Sequence, residues 1–172
     1  MMRMLAAALF ALGFVDVAPP AAVPGALGPL TFLVGGWKAD PDQSGATGGF
    51  TFEMTVQDHV MVRTNYANTP ASAGKPASRH DDLMIIYADG DKLKADYVDS
   101  EGHVIRYDVT TGVGKVVFES DAKAKEPRYR LTYTKNADGT LSGAFDIAAP
   151  GAAPDAFKPY LSWKARKATA SK

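Results

Sequence analysis

The chain contains the stretch KLKADYVD-SEG-HVIRYDVT at positions 92–110. Apolar and polar residues alternate on both sides of the SEG segment, which has the composition of a tight turn ending in glycine. This pattern predicts two antiparallel strands joined by a three-residue loop with a bulge at Gly102. The residue pairs that this register places opposite each other are Ala95–Tyr107, Tyr97–Ile105 and Asp99–His103.

The same alternation recurs along most of the chain. The predicted strands lie at positions 36–39, 49–57, 60–68, 82–88, 92–99, 103–110, 115–120, 128–135, 140–148 and 160–167. Turn residues separate them, and no segment between them has the period of a helix. Such short hairpins favour an all-β, antiparallel up-and-down meander, because closing about ten strands into a barrel removes the exposed edges. The apolar stretch before the first strand predicts a short N-terminal helix closing one end.

A closed barrel of this size predicts an interior space. Diameter grows with strand number, so about ten strands leave a cavity unless large side chains fill it. The side chains predicted to line or fill the interior are Phe50, Phe52, Met54, Met61, Met84, Phe118 and Phe145. Two longer connections, at 69–79 and 150–159, are candidates for a lid or portal, with plain surface loops as the alternative.

The composition excludes several classes of function. Among 172 residues, 19 basic side chains balance 19 acidic ones, so we expect no nucleic-acid partner. The absence of cysteine excludes disulfides, cysteine-ligated metal and a thiol nucleophile. The sequence also lacks the motifs of serine hydrolases, phosphate-binding loops, dinucleotide-binding folds and zinc proteases.

The first 22 residues have the pattern of a signal peptide. Arg3 supplies a positive charge, and an apolar run at 5–15 is too short to span a bilayer. We expect a linker and short capping helix at 23–34, a barrel domain at 35–167 and a disordered tail at 168–172. The mature protein is then periplasmic or secreted, without stable membrane insertion, and a monomer or weak dimer. An uncleaved N-terminal helix is the alternative.

The segment FLVGGW at 32–37 is a short apolar turn that leads into a Gly-x-Trp at the first strand. It is similar to the opening of the calycin barrels, the lipocalins and their relatives. The resemblance implies that Trp37 closes the barrel floor and that a basic side chain of the final strand, Lys164 or Arg166, covers its ring. Asp96-Tyr97 resembles, more weakly, the second lipocalin motif.

The strand count is more similar to the ten-stranded fatty-acid-binding and nitrobindin-like branches, and to bacterial lipocalin-like domains of unknown function. Nitrobindin-like proteins bind haem through a late histidine, but the last histidine here is His103, so we expect no cofactor. The fatty-acid-binding resemblance implies that arginine and tyrosine side chains hold a ligand carboxylate. The candidate ligand-binding residues are Arg63, Asn65, Tyr97, Tyr107, Arg130 and Tyr133.

Two His–Asp placements are candidates for general-base chemistry. His80 and Asp82 share one face where a long loop meets the fourth strand, and Asp99 lies opposite His103 across the turn. A carboxylate beside an imidazole raises the imidazole pKa and orients it as a base. The sequence places no third ligand near either pair, so we predict no metal site. Solvated ion pairs are the alternative for both.

Two functions follow from these patterns. The first is an exported barrel that binds a partly apolar small molecule with a polar or anionic head group. The alternative is a cofactor-independent lyase or isomerase that uses one of the His–Asp pairs at the barrel mouth.

Overall fold

The computed structural model describes residues 25–41 and 45–169. The strands are β1 (Gly35–Ala39), β2 (Thr47–Thr55), β3 (Val60–Thr69), β4 (Ser78–Asp89), β5 (Lys92–Asp99), β6 (Val104–Gly112), β7 (Lys115–Ser120), β8 (Arg128–Lys135), β9 (Leu141–Ala148) and β10 (Lys158–Lys167). Each strand pairs antiparallel with the next, and β1 pairs with β10. The predicted all-β, ten-stranded, closed up-and-down barrel is confirmed, with an architecture consistent with calycin-like barrels.

The two ends of the barrel differ. Because neighbouring strands run in opposite directions, every connection from an odd to an even strand lies at the same end. Both long connections, at 70–77 and 149–157, are of this kind. We call this the long-loop end, and the other the packed end.

Large side chains fill the barrel interior toward the packed end. Phe52, Met61, Met84, Phe118 and Tyr133 are fully buried there. The Tyr133 ring lies at the centre of an aromatic cluster, with ring centroids 5.5 Å from Phe52 and 6.5 Å from Phe118. Interior packing of this kind resembles that of a protein core.

The predicted N-terminal helix is present as a short 3-10 helix, not as the α-helix expected. Residues Gly28–Leu33 make a six-residue 3-10 helix instead of an α-helix. Pro29 contributes no backbone N–H, and so short a segment favours the tighter three-residue hydrogen bonds. Leu30 and Leu33 are nonetheless fully buried in the core cluster.

The basic side chain that covers Trp37 is Lys167, so the expectation of Lys164 or Arg166 is wrong. The Lys167 Nζ lies 4.2 Å from the Trp37 ring centroid. The register pairs Trp37 directly with Lys167, which puts both on one face of the sheet. Lys164 and Arg166 have the opposite parity and point outward, where they pair with Asp138 and Asp40. The Trp37 Nε1 donates a hydrogen bond to the Leu33 carbonyl at 2.7 Å.

The predicted signal peptide at 1–22 and the end of the predicted tail, 170–172, lie outside the described residues. Within the described ranges, no helix combines the length and the apolar character of a membrane span.

Gly143→Ala is expected to destabilise the barrel. A Cβ at this position would lie 2.1 Å from the Trp163 ring, which crosses the glycine on the neighbouring strand. Trp163 would have to leave its place, and we expect a loss of about 1–3 kcal/mol in unfolding free energy. Urea unfolding with tryptophan fluorescence measures this. Gly112→Ala, where a Cβ meets no atom within 4 Å, is the control, and equal losses in both variants would contradict the packing described.

Candidate functional site

The long-loop end opens into the barrel interior. His80, Tyr97 and Asp99 near this end are half-buried, whereas Phe52, Met61 and Tyr133 toward the packed end are fully buried. The half-buried apolar side chains that pack against the core here are Tyr97, Ile105, Tyr129, Phe145 and Trp163. Because hydrogen-bonded strands surround the interior, solvent reaches these side chains from the end of the barrel. We call this opening the mouth.

A buried ion pair lies inside the barrel below the mouth. The Arg63 Nη1 donates to the Asp82 Oδ1 at 2.9 Å, and the two side chains are only 6% and 4% exposed. Asn65 donates to the other carboxylate oxygen, Oδ2, at 2.7 Å. Arg63 and Asn65 share the inward face of β3, as the alternation predicts. The hydrogen bonds compensate part of the cost of burying both charges.

Two polar atoms beside this ion pair have no hydrogen-bond partner. They are the Arg63 Nε and the Tyr133 hydroxyl, both buried. The Arg63 guanidinium carbon lies 5.9 Å from the Tyr133 ring centroid, so the two groups are neighbours. Burial raises the pKa of Tyr133 to about 12, which keeps its hydroxyl protonated and able to donate. The Arg63 side chain acts on the Tyr133 hydroxyl, but neither of these two polar atoms has a hydrogen bond of good geometry, which is costly in a folded protein.

A chain of polar contacts connects the ion pair to the surface. The His80 Nε2 lies 3.2 Å from the Asp82 Oδ2, and its Nδ1 lies 2.8 Å from the Glu101 Oε2. The Tyr97 hydroxyl lies 3.3 Å from the His80 Nε2 and donates to the Asp99 Oδ2 at 3.2 Å. All of these groups except Glu101, which sits in the turn, belong to inward-facing positions near the rim.

The β5–β6 turn positions Asp99 at the rim. Its Oδ1 accepts hydrogen bonds from the backbone N–H groups of Glu101 at 3.0 Å and His103 at 2.9 Å. Gly102 has φ +88, which a glycine adopts without strain. The His103 Nδ1 lies 2.8 Å from the Asp99 Oδ2. The predicted hairpin register is confirmed, including the opposition of Asp99 and His103.

Electrostatics differ between the groups at the rim. Burial opposes the charge on His80, but the hydrogen bond that its imidazole donates to Glu101 and the charges of Glu101 and Asp82 outweigh it, so the pKa of His80 is raised. Burial also opposes the charge on Asp99, but its hydrogen bonds with His103 prevail and the pKa of Asp99 is lowered. Burial raises the pKa of Tyr97, which stays protonated.

The structure brings most of the predicted site residues together inside the barrel. Those that face inward are Arg63, Asn65, His80, Asp82, Tyr97, Asp99, Tyr107 and Tyr133. His103 stands at the rim with 64% of its side chain exposed.

Arg130 does not share the interior with Arg63. Leu131 on the same strand is buried inside, so the alternation turns Arg130 outward. Its guanidinium lies 4.1 Å from the Phe157 ring centroid and its Nε lies 3.4 Å from the Asp146 carboxylate. The expectation that Arg130 points to an internal ligand is therefore wrong.

Glu101 is the rim residue that the sequence analysis missed. A signal for it was present in the turn Asp89-Gly90-Asp91, because the pairing Asp89–Lys92 fixes the register of β4 on β5. The same register pairs Asp82 with Asp99 and, extended by two residues, brings position 101 beside His80. Within its own hairpin, position 101 has only the character of a turn residue.

Two surface depressions lie outside the mouth, beside β2, β3 and β4. Their volumes are about 430 and 380 Å³, and Arg79 lines both. The Arg79 guanidinium is already paired with Asp81 at 2.7 Å. We therefore place the candidate site at the mouth, where buried donors lack partners.

No protein-family model matches this chain, and no curated protein matches it in sequence. The function is therefore inferred from the fold and from the geometry of the mouth.

Arg63→Met and Tyr133→Phe are expected to have opposite effects on stability. Removing the guanidinium leaves the buried Asp82 without its cation, which costs about 3–5 kcal/mol of unfolding free energy. Removing the hydroxyl of Tyr133 takes away a polar group that has no partner, so the free energy of unfolding stays equal or rises. Chemical denaturation of both variants measures the difference, and a large loss in Tyr133→Phe would show that its hydroxyl is satisfied in solution.

Glu101→Gln is expected to lower the pKa of His80, because it removes the strongest contact that favours the charged imidazole. In the wild type the raised pKa means that protonated His80 stabilises the fold below about pH 6.5, and this stabilisation is lost as the pH rises through the folded-state pKa. NMR titration of the imidazole protons measures the shift. Glu53→Gln, on the outer face of β2, is the control. A His80 pKa that Glu101→Gln leaves unchanged would contradict the assigned contact.

Proposed function

We propose that this protein is a calycin-like barrel that binds a partly apolar small molecule with a polar or anionic head group. The observation that carries the proposal is the pair of buried donors, the Arg63 Nε and the Tyr133 hydroxyl, without partners beside an aromatic-lined mouth. Concave sites with apolar walls and a few convergent polar groups are typical of small-molecule binding.

The head group is one that accepts hydrogen bonds. A guanidinium and a phenol both donate, so a carboxylate or carbonyl oxygen fits between them. Arg63 is the only basic residue among the buried polar residues of the described ranges, and Asp82 already neutralises part of its charge. The donors therefore support binding of either an anionic head or a neutral oxygen acceptor.

The apolar part of the ligand fits the wall of the mouth. The Tyr129 and Phe145 rings stack with centroids 5.8 Å apart, and Trp163 lies half-buried on the next strand. These rings are more exposed than the core rings near the packed end. Aromatic faces of this kind bury apolar chains without needing a fixed shape.

The calycin relationship and export are parts of this proposal. Trp37, its hydrogen bond to the Leu33 carbonyl and the Lys167 ammonium over its ring support the relationship. Export rests on the sequence pattern of residues 1–22.

The alternative, a lyase or isomerase with a His–Asp base, stays a prediction. Both ring nitrogens of His80 already face carboxylates, Glu101 and Asp82. His103 is mostly exposed at the rim. Neither imidazole presents a free nitrogen to the interior, which favours binding over this chemistry.

Titration of the protein with decanoate, followed by tryptophan fluorescence, tests the proposal. We expect saturable binding that quenches or shifts the emission of Trp163, and about a tenfold weaker affinity in Tyr133→Phe because one charge-assisted hydrogen bond is lost. Arg130→Gln on the outer face is expected to bind as the wild type does. Equal affinities in Tyr133→Phe and wild type would contradict the head-group position. Absence of saturable binding, together with no retained small molecule in native mass spectrometry, would contradict the function.

A further inference from the structure

Three metal-ligating side chains meet at the rim of the mouth. His80 comes from β4, Asp99 from the end of β5 and Glu101 from the turn that follows. One potential ligand atom of each lies within 4.8 Å of those of the other two. The closest pair is the His80 Nδ1 and the Glu101 Oε2 at 2.8 Å. Glu101 is 21 residues from His80 in sequence and reaches it only through the pairing of β4 with β5, so the local sequence around His80 indicates no third ligand.

We propose that His80, Asp99 and Glu101 bind a divalent first-row transition metal ion, with Zn²⁺ as the ion of choice. One imidazole and two carboxylates are donors that Zn²⁺ accepts in proteins, and such mixed nitrogen and oxygen sets do not require cysteine. This inference does not rest on the proposed ligand-binding function, because it uses the rim and not the Arg63–Tyr133 donors.

The orientation of His80 suits a metal ligand. Its Nε2 faces the Asp82 Oδ2 at 3.2 Å, and Asp82 is itself held by Arg63 and Asn65. A histidine that binds metal usually donates its other ring N–H to a carboxylate, which fixes its tautomer. Here Asp82 is the carboxylate that accepts from the Nε2 side of His80. The Nδ1, which faces Glu101, is therefore the nitrogen available to the ion.

Asp99 is held in place before any ion binds. Two backbone N–H groups bind its Oδ1, while Tyr97 and His103 contact its Oδ2. A carboxylate oriented in this way loses little conformational entropy on coordination. Because each Asp99 oxygen already has two partners, coordination requires its Oδ2 to exchange Tyr97 or His103 for the ion, while the Glu101 carboxylate exchanges its contact with His80.

Glu101 supplies the adjustment that coordination requires. Two ligand atoms bound at about 2.0–2.1 Å with a tetrahedral angle stand about 3.3 Å apart, so the present 2.8 Å contact must open slightly. The Glu101 side chain is 53% exposed and lies on a turn, so it can move by this amount without disturbing the barrel. Three protein ligands leave a coordination position open, as in sites where a metal also binds water or a substrate oxygen.

Isothermal titration of chelator-treated protein with ZnCl₂ tests the proposal. We expect one site per chain and an affinity at least tenfold weaker in both Glu101→Gln and His80→Gln. His59→Gln is the matched control, since His59 is an exposed histidine in the β2–β3 turn, and it is expected to bind Zn²⁺ as the wild type does. Glu101→Gln changes an exposed side chain, so the experiment does not depend on whether His80→Gln folds.

Cobalt substitution gives a second readout. We expect visible absorption bands of protein-bound Co²⁺ in the wild type and in His59→Gln, and their loss in Glu101→Gln. Binding of Zn²⁺ should also raise the melting temperature of the wild type more than that of Glu101→Gln, because the ion stabilises the state that binds it. Wild-type protein that binds no Zn²⁺ below millimolar concentration, or Glu101→Gln that binds it equally well, would overturn the proposal.

Discussion

The pairing of β1 with β10 is the constraint on which the rest of the structure depends. Once the sheet is closed, successive side chains of each strand point alternately into the barrel interior and out to solvent. Aromatic and methionine side chains fill one half of the interior, while the other half receives a charged pair and its polar neighbours. The division follows from the position of each residue along its strand, because the inward-facing residues His80, Asp82 and Asp99 lie on the long-loop side of their strands, and Asp82 pairs there with Arg63 near the middle of β3.

The buried Arg63–Asp82 pair lies where these halves meet. On the packed side the guanidinium borders the Phe50 and Tyr133 rings, at 5.9 Å from each centroid. On the mouth side, Asp82 is shared between Arg63, Asn65 and His80. A carboxylate with three such partners tolerates burial, whereas an isolated one does not. The same carboxylate thereby links the two proposed sites, since it holds both the arginine and the rim histidine in position.

Local pairing could be predicted from the sequence, and pairing across the closure could not. Turn residues determine the β5–β6 hairpin, so the opposition of Asp99 and His103 followed from the sequence. The contact of Lys167 with Trp37 could not be predicted, because these residues are about 130 positions apart and no turn connects their strands to fix the register. Arg130 was misplaced because both faces of β8 carry large side chains, and only the packing of Leu131 and Tyr133 shows which face is inward. In each case a shift of the strand pairing by one residue moves a side chain from the inner face of the sheet to the outer face.

The seam between the first and last strands also sets the order of events during synthesis. Until β10 is complete, β1 can pair with β2 only. Contacts between residues so far apart in sequence form slowly. Before this pairing forms, the sheet is an open ribbon with two unpaired edges, which are prone to pair with other chains.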